Sequence, residues 1–206
     1  MKQLFTKLLV LALLTVSVSS CLKSGREGDS HEAAAFGDVA LQRFEQIGGD
    51  FTLVDQYGKP FTLSAQKGKA VLLFFGYLTC PDVCPTTLLE LAQIRKELGK
   101  DADQVIFAFV TVDPHRDKPE KLKDYLINFD PAFLGLYGEP DEIAKVSELY
   151  KVAYKRREQP SALGYTIDHS SGTYLIDKAG DLRYIFAFGS KHPFVIKGIE
   201  KVLALP

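Results

Sequence analysis

Methionine is nearly missing from this 206-residue chain: Met1 is the only one, so removal of a leader leaves no thioether to serve as a soft metal ligand. Cysteine is almost as scarce, at Cys21, Cys80 and Cys84 only, which excludes a disulfide-stapled scaffold; a chain of this length builds its own core. Neither sign of charge prevails, with 25 Lys and Arg against 26 Asp and Glu for a formal net charge of −1. That balance gives no reason to expect nucleic acid or an acidic substrate. No internal repeat or low-complexity tract occurs, and no apolar run reaches the roughly 20 residues of a membrane-spanning helix.

A shorter apolar run, Leu8 to Leu14, follows Lys2 and Lys7 and precedes small residues ending Val18-Ser19-Ser20-Cys21. Positive flank, short apolar stretch and small residues before a cut make a secretory signal over residues 1–20. Its ending resembles a bacterial lipoprotein signal, in which the cysteine becomes the lipidated first residue. The expectation is an exported, membrane-anchored lipoprotein facing the periplasm or extracellular side. An ordinary cleaved signal would instead leave Cys21 as an unpaired exposed thiol, a liability outside the cytoplasm. With Cys21 assigned to the anchor, Cys80 and Cys84 must partner each other or a metal. Residues 21–49, rich in Ser, Gly, Glu, Ala and His without sustained period, read as lipidated cysteine and flexible tether, and residues 50–206 as one domain.

Val71-Leu72-Leu73-Phe74-Phe75, ended by Gly76, reads as a strand buried on both faces, and it empties into the loop carrying Cys80 and Cys84. Thr87 and Glu90 have capping-box spacing, with Leu88, Leu91, Ala92, Ile94 and Leu98 behind them, which puts a helix start just past the second thiol. Residues 105–112 form a second buried strand. Asp117 and Glu120 repeat the capping-box spacing around Pro119, followed by Leu122, Tyr125, Leu126 and Phe129 at helical intervals. A short segment at 133–137 leads to a helix after Pro140, and residues 152–156 read as extended. Residues 173–177 and 182–188 make a hairpin around Lys178-Ala179-Gly180-Asp181, and Pro193 opens a last helix. An early hairpin, 51–55 with 61–63, precedes them all and is expected beside the main sheet. The order is that of an α/β, thioredoxin-like fold: a central mixed sheet flanked by helices, with an extra N-terminal β-hairpin.

The thiols therefore lie beyond the carboxyl end of a central strand, where N–H groups at a helix start favour thiolate. Four residues apart, they can close a disulfide, which needs Cβ atoms about 3.5–4.5 Å apart, or grip one soft metal ion. Three intervening residues, not the two of the common redox motif, widen the loop and weaken its commitment to disulfide exchange. Pro81 and Pro85 bias Cys80 and Cys84 towards extended backbone. A structural zinc site usually closes with four Cys or His ligands at recognised spacings, and no second pair of cysteines exists. Simple packing under the helix fits poorly with the polar, proline-rich setting. Of the histidines, His31 lies in the tether, His192 before Pro193, and His115 after Asp113-Pro114 at a strand end. His169 sits on the approach to the late hairpin, which passes near the dithiol in a thioredoxin-like fold. Two thiolates and one imidazole form a soft set suited to copper, as Cu(I) or, with added ligands, Cu(II).

The run Gly76-Tyr77-Leu78-Thr79-Cys80-Pro81-Asp82-Val83-Cys84-Pro85, with Val112-Asp113-Pro114-His115-Arg116-Asp117 and Asp168-His169-Ser170, resembles the Sco/SenC family of membrane-anchored copper proteins. All three motifs stand in family order, and the likeness runs from about Phe51 to Leu205. The resemblance implies copper bound by Cys80, Cys84 and His169. It further implies delivery of copper to, or reduction of the cysteines of, the dinuclear copper site in subunit II of cytochrome c oxidase. Two departures stand out: the lipid anchor on Cys21, and His115 where the family often carries an acidic residue. Asp113 is expected either as an outer carboxylate orienting His169 or tuning the thiols, or as a turn residue before Pro114. Asp168 should point away from His169, its neighbour on an extended segment, and Tyr77 and Asp82 should line the approach. An oxidising compartment closes the dithiol, so loading with Cu(I) calls for an extracytoplasmic thiol reductase as well as a copper donor. The alternative is a thiol-disulfide oxidoreductase that cycles Cys80 and Cys84 without metal. A thiol peroxidase activated by Arg116 ranks last.

Overall fold

The structure, a computed structural model, describes residues 38–160 and 164–206. The expected leader, the lipidated Cys21 and His31 lie outside the described residues. The domain opens with β1 (Thr52–Asp55) and β2 (Pro60–Thr62), antiparallel around a turn at Gly58 with φ 77°, a value glycine takes easily. There follow β3 (Ala70–Gly76), α1 (Val83–Leu98), β4 (Val105–Thr111), α2 (Pro119–Leu126), β5 (Leu134–Tyr137) and α3 (Pro140–Leu149). Then come β6 (Tyr154–Glu158), β7 (Tyr165–His169), β8 (Thr173–Ile176), β9 (Leu182–Phe186) and α4 (His192–Leu203).

Among the described residues the main sheet has the order β2-β1-β5-β4-β3-β8-β9. β3, β4 and β5 run parallel, while β8 is antiparallel to β3, β9 to β8 and β1 to β5. This is the thioredoxin-like mixed sheet read from the element order. The early hairpin extends that sheet through β1 and β5, where it was expected beside it. β6 and β7 pair separately with each other.

All seven residues of β3 are buried, because the strand is central and covered on both faces. Successive side chains of a strand point oppositely: Phe75 packs on Tyr150 and Tyr174, and Phe74 on Phe109 and the ring of His169. The β3–β4 register sets Gly76 opposite Thr111, and the Val112 N–H donates to the Gly76 carbonyl at 2.8 Å. The two loops that leave these strands therefore emerge side by side at one sheet end.

Three local expectations are corrected. First, α1 begins at Val83, four residues ahead of Thr87, with Asp82 as its N-cap. Pro85 falls in the first turn, where a missing N–H leaves no helical bond unmade. Cys84 is consequently helical although a proline follows it, and Thr87 is buried inside the helix. Second, Asp117 caps nothing: α2 starts at Pro119 behind the N-cap Lys118, and no side-chain cap bond is made. A capping box stands instead ahead of α3, where Glu142 accepts from the Glu139 N–H at 2.8 Å. Third, the tether expected up to residue 49 ends earlier. Val39 is fully buried, Leu41, Phe44 and Ile47 pack on the core, and the N–H groups of Gln42 and Phe44 donate to the Arg183 and Leu182 carbonyls. Lys201 donates to the Val39 carbonyl and pairs with Asp38. Apolar residues without a regular period still bury well when they run along an existing surface. Among the described residues no helix is long and apolar enough to cross a membrane.

Candidate metal centre

β3 brings the chain to the sheet end, residues 77–82 turn outward, and the first turn of α1 carries Cys84 back beneath the loop. Cys84 is fully buried, Cys80 is half-buried, and both are free thiols. His169, the last residue of β7, places Nε2 3.3 Å from the Cys84 Sγ. The two sulfurs and this nitrogen all lie within 4.8 Å of one another. Bonds of about 2.0–2.3 Å from one ion to N and S donors set the donors of a trigonal site about 3.5–4 Å apart. A small closing movement is enough for all three to hold a single metal ion. The structure thus brings together the three residues that the motifs singled out.

Gly76 makes room for the buried thiol. A Cβ there would stand 2.7 Å from the Cys84 Sγ and 2.8 Å from a Phe109 ring carbon. Gly76→Ala is expected to lower stability by about 1–3 kcal/mol, as overpacking of a core does, and to displace the Cys84 sulfur. Denaturant unfolding together with titration of both thiols measures the two effects.

The thiols are unequal. The Cys80 thiol is pulled down to about 3, chiefly by the hydrogen bond from the Cys84 thiol, with further support from the backbone N–H groups of Asp82 and Cys84; burial opposes the shift. The Cys84 thiol is pushed up by the thiolate beside it and by its burial. At neutral pH the pair carries one negative charge, placed on the more exposed sulfur, and the buried sulfur keeps its proton. A cation between them removes the reason for that proton to stay.

His169 Nδ1 lies 2.9 Å from the Ser170 carbonyl oxygen. A carbonyl accepts, so the proton belongs on Nδ1 and the Nε2 lone pair is left for a ligand. The ring stands edge-on to Tyr77 at 5.7 Å between centroids, which keeps it upright. Asp113 is buried but does not orient His169, since Ser170 does. Its carboxylate accepts instead from Arg116 Nε and, at 2.8 Å, from the Tyr165 hydroxyl. Asp168 pairs with Arg157 at 2.7 Å on the exposed side, as strand alternation requires. His115 is exposed, His192 contacts Glu97 at 3.2 Å, and Tyr77 is buried beside the site.

The residue missed by sequence reasoning is Asp117. It is buried, and its Oδ2 accepts from the Leu78 N–H at 3.0 Å and the Thr111 hydroxyl at 2.7 Å. Burial pushes its carboxyl up to about 6. Through this one oxygen the cysteine loop is tied to the end of β4. Pro119 offered the signal: proline favours the first helical position, which moves the cap to Lys118 and frees Asp117 to turn inward.

Fold and site define a thioredoxin-like domain with a thiol, thiol and imidazole gathered at the carboxyl end of its central strand. The chain matches SCO1/SenC over residues 39–204 and belongs to that family. It is 43% identical over 136 residues to the SCO2-like protein of Rickettsia conorii, a stretch that is 66% of either chain. Among solved structures it is similar to Bradyrhizobium japonicum ScoI with copper bound, at 44% identity and TM-score 0.70, covering 76% of this chain and 99% of that one. It is likewise similar to yeast Sco1 with copper bound, at 33% identity and TM-score 0.69, covering 76% and 87%.

Proposed function

We propose that this chain is a copper carrier that holds copper through Cys80, Cys84 and His169. From a lipid anchor on Cys21 at the outer face of a membrane, it delivers the ion to, or prepares the cysteines of, the dinuclear copper site of cytochrome c oxidase subunit II. The observation that carries the reading is the set of three soft donors within 4.8 Å, in a family with members solved with copper bound.

The chemistry is ligand exchange. Loading turns the Cys84 thiol into a thiolate, so about one proton leaves for each copper bound. Release begins at the half-buried Cys80, where an incoming thiolate can approach; the buried Cys84 lets go last and takes its proton back. An extracytoplasmic thiol reductase keeps the pair open for loading from a copper donor. The inequality of the thiols also favours a second reading, because an accessible Cys80 thiolate is the nucleophile that a thiol-disulfide oxidoreductase needs.

Copper binding by the reduced domain, wild type beside His169→Ala, separates the two. One copper per chain with a thiolate-to-Cu(II) band is expected for the wild type, with affinity at least about tenfold lower in the variant, a loss of about 1.4 kcal/mol. Equal binding by both would remove His169 from the ligand set and leave the oxidoreductase.

A further inference from the structure

Among the described residues β6 and β7 form their own sheet and share no ladder with the main one. The place of His169 therefore depends on what fastens this hairpin to the body. Side chains alternate along β7, so Tyr165, Ile167 and His169 share one face. Ile167 is buried in the core.

Four residues before His169, at the start of β7, Tyr165 is gripped by the loop between β4 and α2. Its hydroxyl donates to Asp113 Oδ1 at 2.8 Å, and its carbonyl accepts from Arg116 Nη1 at 3.0 Å. The Arg116 guanidinium lies over its ring, 3.6 Å from the centroid, while Nε of the same group donates to Asp113. Arg156, from β6, covers the ring as well, at 3.8 Å. The same loop holds the cysteines: the Thr111 hydroxyl donates to Asp117 and accepts from the Asp113 N–H at 2.9 Å, and Asp117 holds Leu78.

We propose that Arg116, together with Asp113 and Tyr165, is the latch that positions the third ligand, setting the hairpin so that His169 Nε2 reaches Cys84. This deepens the copper-carrier reading and rests on it. Tyr165 and His169 are about 13 Å apart along a strand rising about 3.3 Å per residue. With Ile167 as the pivot between them, a shift at the tyrosine is returned at the histidine. Cys80 sits on the short loop that Asp117 holds through Leu78, and Cys84 on the first turn of the helix that follows, which cannot move without opening the core. The hairpin can swing when a polar latch opens, and His169 leaves the ion while both sulfurs still hold it. Arginine suits the task because its planar fork serves a carboxylate, a carbonyl and a ring face at once, which an ammonium group cannot do.

The test compares wild type, Arg116→Met, Arg116→Lys and Tyr165→Phe, with Arg157→Met, which breaks only the solvent-side pair with Asp168, as control. Each protein is loaded with Cu(II). The readouts are copper per chain, the thiolate band, imidazole nitrogen coupling in the electron paramagnetic resonance spectrum, and the rate of copper loss to a chelator. Arg116→Met should keep one copper and a thiolate band. It should lose the nitrogen coupling and release copper about 10–100-fold faster, the range typical when a residue supporting a metal ligand is removed. Arg116→Lys should recover little of this, Tyr165→Phe should fall between, and Arg157→Met should match the wild type. Wild-type coupling and release rate in Arg116→Met would overturn the latch. Should that variant fail to fold, wild-type coupling and release rate in Tyr165→Phe would overturn it. A wild type that binds copper without nitrogen coupling would overturn the ligand reading itself, and the latch with it.

Discussion

Cys84→Ala should abolish tight copper binding and, in the same protein, move the Cys80 thiol back up towards the ordinary value of about 8.5. Both effects follow from one contact. The Cys84 thiol is the main donor that brings Cys80 down to about 3, and it is also the buried half of the sulfur pair. Four-ligand metal sites gain about 10–16 kcal/mol, or about 2.5–4 kcal/mol per ligand, so loss of one sulfur should weaken binding by about two to three orders of magnitude. The rate of Cys80 alkylation against pH reads the second effect. In the wild type that rate should stay flat from pH 8 to pH 5, because the thiolate is fully formed throughout. In the variant it should fall roughly tenfold per pH unit below the thiol's own value. Matching profiles in the two proteins would show that Cys84 does not donate to Cys80. Competition with a Cu(I) chelator gives the affinities.

The chemistry of this site divides between a rigid part and an attached part, and the division shows in how well each could be read from the residues. The strand under the cysteines was legible because seven buried residues in a row leave few alternatives, and Gly76 marks where it stops. The dithiol was legible for the same reason, since a strand that ends at a loop followed by helical spacing can place it only at the sheet end. His169 was not legible from local pattern. β6 reads Tyr-Lys-Arg-Arg-Glu with every residue exposed, so no apolar face announces the pairing that brings β7 to the cysteines. Only the element order and the motif resemblance pointed to it.

The errors have a common physical source, the competition of buried partners with local signals. Asp117 and Glu120 have the spacing of a cap, but a carboxylate that can receive both a backbone N–H and a hydroxyl inside the fold gains more there than at a solvated helix start. Asp113 reads from sequence as an orienter of His169 because both lie in motifs near the site. A guanidinium and a phenol claim its oxygens instead, and a carbonyl suffices for the imidazole. α1 starts earlier than its capping-box spacing suggests, because a proline after Cys84 argues for extended backbone only when the helix has not yet begun to form from Asp82 onward.

Asp117 supplies the other large expected effect, and its two variants should move in opposite directions. Asp117→Ala leaves the Leu78 N–H and the Thr111 hydroxyl without their acceptor in a buried place. At about 1–3 kcal/mol for each orphaned group, the loss should be about 2–6 kcal/mol. For a domain of this size that is a fall in Tm of about 4–24 °C. Asp117→Asn keeps an oxygen to receive both donors and removes the charge. In the wild type, burial holds the folded carboxyl at about 6, above its unfolded value of about 3.9. The folded state therefore binds this proton more tightly than the unfolded state does. The stability it contributes is complete below about pH 4 and is lost as pH rises through 6, a change of about 2–3 kcal/mol. The asparagine variant has no such proton to lose. Denaturant unfolding at pH 4 and at pH 8 should show Asp117→Asn gaining on the wild type by about that amount at the higher pH, while other groups titrate equally in both and cancel. Parallel stability profiles across that range would mean that Asp117 does not titrate there, and that the anchor of the cysteine loop carries the same charge throughout.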